Sequence, residues 1–261
     1  MEESLVPLKR NIRYKFSGGD YFPQNGAYPL ESGTLTVNLG GSFWRAPFRF
    51  ILGTKNISQS HSFASVSDGL SNTIFMSERG ITDETVMNRT QGGILTNVIT
   101  GWGDGGPGIG GYTITPLSTV MSIAAGNQYI VSGTHETTAS GARMGASDYM
   151  TNRGDAAFCE RAISARFYTI VPPNGPSCAG NQSNGNNNIL LTANSYHTGG
   201  VNVVKGDGAV SFISDTINSL SSGYTAATAN VDGDPRLRNE SPFGVWGALG
   251  TINGGESNTQ P

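Results

Sequence analysis

Val201-Asn202-Val203-Val204-Lys205-Gly206-Asp207-Gly208-Ala209-Val210-Ser211-Phe212-Ile213 is the stretch on which the fold reading rests. Two runs rich in β-branched residues flank Gly206-Asp207-Gly208, the pattern of a β-hairpin closed by a tight turn. Two turns are compatible with it. With Asp207-Gly208 as a two-residue turn, Lys205 faces Val210 and Asn202 faces Ile213. With Gly206-Asp207 as the turn, Val203 faces Val210, Val201 faces Phe212 and Asn202 faces Ser211. That arrangement matches like with like and places Gly206, with φ > 0, at the first central position of a type II′ turn. It is the expected register.

Outward from the hairpin, composition points the same way. The chain has 261 residues, enough for one large domain, with 36% hydrophobic and only 13% charged residues. Its polarity comes from Gly, Asn, Ser and Thr, which favour turns and short strands over charged surface helices. Gly alone accounts for 37 positions. Thr73-Ile74-Phe75-Met76-Ser77-Glu78 reads as a buried strand entered from a turn at Asp68-Gly69. Phe48 to Leu52 is a further candidate strand. Residues 101–111 and 179–188 are Gly- and Asn-rich loops. Helices are expected to be few and short, at Pro116 to Ala125 and Ala156 to Ala165. The expected fold is therefore a single β-rich α+β domain with a mostly antiparallel sheet, long Gly/Asn-rich loops and a C-terminal hairpin. Residues 1–45 read as an irregular N-terminal segment, 46–256 as the globular domain and 257–261 as a tail.

Several function classes fall away early. Net charge is −3 and no Lys/Arg stripe occurs, so the phosphate-backbone footprint of a nucleic-acid binder is missing. No apolar run is long enough to span a bilayer. The Gly-rich tract 101–111 lacks the spacing of a phosphate-binding loop and has Pro107 where a helix would begin. Met1-Glu2-Glu3-Ser4 opens polar and acidic, so the chain is either cytosolic or has lost an export segment. Cys159 and Cys178 favour export. They read either as a disulfide closing the segment between them, worth about 3 kcal/mol in chain entropy, or as two unrelated buried thiols; the bond is the expectation.

His197 precedes Asp207-Gly208 by nine intervening residues, within Ser195-Tyr196-His197-Thr198-Gly199-Gly200 and Gly206-Asp207-Gly208. Two further stretches accompany it: Asp68-Gly69-Leu70-Ser71-Asn72-Thr73 with Glu78, and Gly244-Val245-Trp246-Gly247-Ala248-Leu249-Gly250 through Gly254-Gly255-Glu256. Pro172-Pro173-Asn174 to Cys178 is a fourth. Together these resemble the H-X9-DG family of pilin-like proteins, abundant in planctomycetes, over roughly residues 60–256. Family members usually begin with a type IV prepilin leader and a long apolar helix; this chain shows neither. The resemblance implies a pilin-like fold, an extracellular or cell-surface location (with the periplasm as the alternative), and other pilin-like subunits or cell-surface components as partners.

The expected function is a structural or surface-display subunit without catalysis, and the alternatives are a solute- or glycan-binding module and, less favoured, a hydrolase. His197, Gly206, Asp207, Gly208, Asp68, Gly69, Ser71, Asn72, Glu78 and Trp246 are assigned structural roles. In the expected hairpin His197 and Asp207 lie at opposite ends, roughly 26 Å apart at strand rise, too far to share a proton. A catalytic His197 needs an acidic side chain within about 3 Å in a solvent-open cleft. Asp68 and Glu78 invite a paired-carboxylate reading, but Asp-Gly and Ser-Asn-Thr are turn chemistry and Glu78 is suited to accept backbone N–H groups. Asp232-Gly233-Asp234 supplies oxygens suited to calcium but lacks the spacing of an EF-hand loop, so no cofactor is expected, with calcium at Asp232 and Asp234 as the alternative. Trp44, Trp102 and Trp246 are assigned mostly to core packing.

Overall fold

A hairpin whose apolar residues alternate needs a surface to bury them against, and a strand far upstream provides the first part of it. The computed structural model describes residues 12–17, 30–31, 34–35, 47–48, 62–80, 89–96, 117–130, 166–179, 189–219, 241, 243–252 and 254–255. In chain order the strands are β1 (Ile12–Ser17), β2 (Leu30–Glu31), β3 (Thr34–Leu35), β4 (Ile74–Gly80), β5 (Leu95–Thr96), β6 (Ala124–Ala125), β7 (Gln128–Tyr129), β8 (Arg166–Phe167), β9 (Cys178–Ala179), β10 (Ile189–Leu190), β11 (Gly200–Lys205) and β12 (Val210–Ser214). Two short helices, α1 (Leu117–Ser122) and α2 (Gly244–Ala248), complete the described elements with one 3-10 turn at Phe63–Ser65. The protein is a β-rich α+β structure.

The main sheet runs β12-β11-β4-β1-β8, antiparallel except for the β1–β8 pair. A smaller sheet, β10-β9-β5, and two two-stranded ribbons, β2-β3 and β6-β7, accompany it. Ile12–Ser17 lies between β4 and β8, so the 1–45 segment, read as irregular, contributes a strand to the sheet of the 46–256 domain. Helix α1 ends at Ser122 and gives way to β6, so only part of the Pro116–Ala125 span is helical. Residues 49–52, 101–111, 156–165, 180–188, 232–234 and Cys159 lie outside the described residues.

The hairpin forms, in a register that differs from both sequence alternatives. Val201 pairs with Ile213, Asn202 with Phe212, Val203 with Ser211 and Val204 with Val210, leaving Gly206-Asp207-Gly208 as a three-residue loop. Gly208 N–H donates to Lys205 C=O at 3.0 Å, and Lys205 N–H donates to Ala209 C=O at 2.9 Å. Positive φ falls on Gly208 (+86°) and not on Gly206. This is the turn followed by a left-handed residue that commonly closes three-residue hairpin loops. The Asp207 carboxylate accepts Ala209 N–H at 2.9 Å and fixes the bend locally. Apolar matching misleads here because Val210 and Phe212 are exposed and do not need apolar partners.

Val201, Val203 and Ile213 point from the hairpin into a cluster with Ile74, Phe167, Ala193, Trp246 and Leu249. Trp246 is fully buried, stacks on Phe167 with ring centroids 6.4 Å apart, and donates its indole N–H to Val171 C=O at 2.8 Å. That bond satisfies the one polar group of the largest fully buried side chain among the described residues.

Candidate functional site

Asp68 begins the first of the sequence motifs and reaches the last. Gly69 with φ +93° makes the turn that precedes β4, and Asn72 braces it by donating its side-chain amide to Asp68 C=O at 3.0 Å. The Asp68 carboxylate points away from this turn. It accepts the Thr251 hydroxyl at 3.0 Å and the backbone N–H groups of Gly254 at 2.6 Å and Gly255 at 2.9 Å. Two successive amides aimed at one anion form a concave nest. Thr73 adds a hydroxyl between Gly69 C=O and Thr251 C=O, both at 3.1 Å, and Ile74 N–H donates to Leu249 C=O at 2.7 Å. Ser71 is exposed. The Asp-Gly motif thus holds the segment that follows Trp246.

Glu78 lies ten residues further on and is bound to the hairpin. The backbone register between β4 and β11 extends from Lys205 only to Val203–Ser77. Beyond that pair the Glu78 carboxylate continues the ladder in place of a carbonyl: Oε2 accepts Asn202 N–H at 2.8 Å and Oε1 accepts the Asn202 side-chain amide at 3.1 Å. Nε2 of His197 lies 3.3 Å from the same Oε1. The Glu78 side chain is 7% exposed and the His197 side chain 51%. The acid beside His197 is therefore Glu78 and not Asp207, and the proximity that a catalytic histidine requires is present on the sheet. Among the described residues, no hydroxyl or thiol bonds to the other ring nitrogen of His197. Tyr14, across from Glu78 on β1, has its phenol pKa raised, first by burial and then by the Glu78 charge.

Asn174 shapes the turn that carries His197. It is the one described non-glycine residue with positive φ, at 61°, a conformation Asn tolerates better than most. Its Oδ1 accepts Ser195 N–H at 2.9 Å and its Nδ2 donates to Gly200 C=O at 3.3 Å. Ser195 then donates its hydroxyl to Gly200 C=O at 2.7 Å and accepts His197 N–H at 3.0 Å. Nearby, Asn194 accepts Gly80 N–H and donates to Thr90 C=O at 3.0 Å.

Arg79, next to Glu78 on β4, faces the interior. It is fully buried, donates to Arg166 C=O at 3.2 Å, and has its pKa pushed down to about 10 mainly by desolvation, which leaves it charged at neutral pH. Cys178 is a free thiol in β9, fully buried, with its pKa raised by that burial. Its expected disulfide partner, Cys159, is outside the described residues, as are Asp232 and Asp234. Among the described residues no three His, Cys, Asp or Glu side chains gather as a metal-ligand set, and no helix is long and apolar enough to cross a membrane.

The structure joins Glu78 to His197 and Asp68 to the segment behind Trp246, while Asp207 stays at its turn. Sequence reasoning missed Asn202, Asn174, Ser195 and Thr251. One signal was readable: Asn202 is a lone amide among Val201, Val203 and Val204, where a half-buried polar group is expected to find a partner.

A comparison with protein families matches residues 12–220 to a family described as proteins of unknown function (DUF1559). No curated protein and no solved structure matches the chain.

Proposed function

We propose that this chain, which belongs to the DUF1559 family, is an exported structural or surface-display subunit of pilin or pseudopilin type that performs no catalysis. Other pilin-like subunits or cell-surface components are its partners in this reading, and the H-X9-DG pilin-like resemblance is its origin. One observation carries it: the carboxylates of the motif residues Asp68 and Glu78 are bound to the chain itself. Both oxygens of Asp68 hold backbone amides of residues 254–255, and both oxygens of Glu78 hold Asn202. Carboxylates so occupied act as fasteners between distant segments, which suits a subunit that must keep its shape outside the cell. The test is protease shaving of intact cells that produce the protein. Loss of the protein with cytosolic markers preserved is expected; full protection until lysis overturns the surface assignment.

A second reading, a hydrolase or ligand-binding module, is favoured by the half-exposed His197 ring 3.3 Å from Glu78. The variant His197→Ala separates the two. On the structural reading the melting temperature falls by the equivalent of about 1 kcal/mol, the size of one lost hydrogen bond. An unchanged melting temperature with loss of a hydrolytic or binding activity establishes the second reading.

A further inference from the structure

The outer edge of the main sheet has a different character from the motif side. Strand β12 is the terminal strand and pairs, among the described residues, with β11 alone. Backbone bonds join Lys205 to Ala209 and Gly199 to Asp215 at the two ends of the hairpin ladder. By antiparallel alternation Ser211 and Ile213 bond inward, so Val210, Phe212 and Ser214 direct their N–H and C=O groups away from β11. Among the described residues, of these groups only the Ser214 C=O is engaged, by Ile217 N–H at 3.2 Å. Val210 is 63% exposed and Phe212 52% exposed. The strand has no Lys, no Pro and no bulge, the devices that normally protect an edge.

We propose that β12 is a self-association edge, which takes the β12 strand of a second copy of this chain in antiparallel register about Phe212. The inference does not rest on the surface-display reading. An open row of alternating donors and acceptors selects an extended strand as its occupant. What selects a second copy is self-complementarity. A twofold axis at Phe212 sets Phe212 beside its own copy, where each N–H meets the other's C=O and the two rings meet on the exposed face. Each Ser214 N–H then reaches the other copy's Val210 C=O, for about four new backbone bonds. Charge is compatible as well. Nothing from Gly208 to Ser214 is charged, Asp215 falls opposite Ala209, and Asp207 falls opposite Ile217, so no acid faces an acid.

Sedimentation velocity on the 261-residue chain between about 1 and 300 μM, a range that spans micromolar to submillimolar dissociation constants, reads the association directly. The expected result is a mass that rises from 27.3 kDa towards its double. Val210→Lys puts an ammonium on the edge and is expected to raise the dissociation constant at least about tenfold, with an unchanged circular dichroism spectrum. Under oxidation, Phe212→Cys is expected to crosslink to itself, whereas Thr216→Cys, which faces Gly208 of the copy in this register, is not. A monomer at every concentration overturns the proposal, as does equal crosslinking at 212 and 216 or a Val210→Lys chain that dimerises as before. A β12 edge that binds an added foreign strand while the chain stays monomeric assigns the edge to another partner and also overturns it.

Discussion

Strands β11 and β12 form one hairpin but face opposite circumstances. Towards β4, β11 is bound tightly: Val201 and Val203 are in the core, Asn202 is held by Glu78, and Gly200 accepts from both Asn174 and Ser195. On the other side, β12 buries Ile213 and leaves Val210 and Phe212 in solvent. The difference teaches where the motifs act. Glu78, His197 and Asn174 all serve the inner strand, and the Gly206-Asp207-Gly208 loop only returns the chain to the outer one. Constraint on the inner strand protects the shape of the hairpin, and the outer strand is free to meet something else.

Substitutions can break or sharpen this contrast. The largest effect is expected at Gly200, where an added Cβ lies 2.0 Å from Ile213 C=O and 2.8 Å from the Phe212 ring. Because the first obstacle is backbone, Gly200→Ala must open the ladder, and a loss of about 3 kcal/mol is expected in urea unfolding. A loss below about 1 kcal/mol would mean that the inner strand is less constrained than the contacts imply.

Gly206→Ala comes next. Its Cβ would lie 2.7 Å from the Phe75 ring and 3.0 Å from Leu70, side chains that can yield in part, so about 2 kcal/mol is expected. Gly208 has open space around it but holds φ +86°. Gly208→Ala should therefore be milder, about 1 kcal/mol, as a purely conformational effect. A reversed order of these two, read from thermal unfolding, would mean that Phe75 and Leu70 yield freely and that the left-handed φ of Gly208 governs the loop.

The smallest effect on stability belongs to β12. Val210→Lys is expected to change unfolding free energy by no more than about 0.5 kcal/mol, since the side chain is already in water. A large destabilisation would erase the distinction between the two strands.

How far the sequence was legible follows from the range of each interaction. The hairpin and the buried β4 strand were readable because β-branched alternation and a Gly-Asp-Gly break are local signals. The loop length was not, because it depends on which face of β12 is buried, a tertiary property. Asp207 at its turn is local chemistry and was readable. The meeting of Glu78 with His197 joins positions separated by 119 residues, with no periodicity between them to announce it. The Asp68 nest around residues 254–255 is longer in range still. Ile12–Ser17 was unreadable as a central strand because it is short and followed by Gly18-Gly19, which reads locally as loop.

Glu78→Gln, measured by equilibrium urea unfolding, tests most directly whether the motif carboxylates are fasteners. Gln keeps the size of Glu but removes its charge and replaces one oxygen by a donor group, so the charge-assisted bonds to Asn202 weaken and the side-chain contact persists only if the Asn202 amide turns over. With the side chain buried, a loss of about 2 kcal/mol at unchanged m-value is expected. An unfolding free energy within about 0.5 kcal/mol of the unsubstituted protein would contradict the structural role of Glu78 and leave its pairing with His197 to be explained by chemistry.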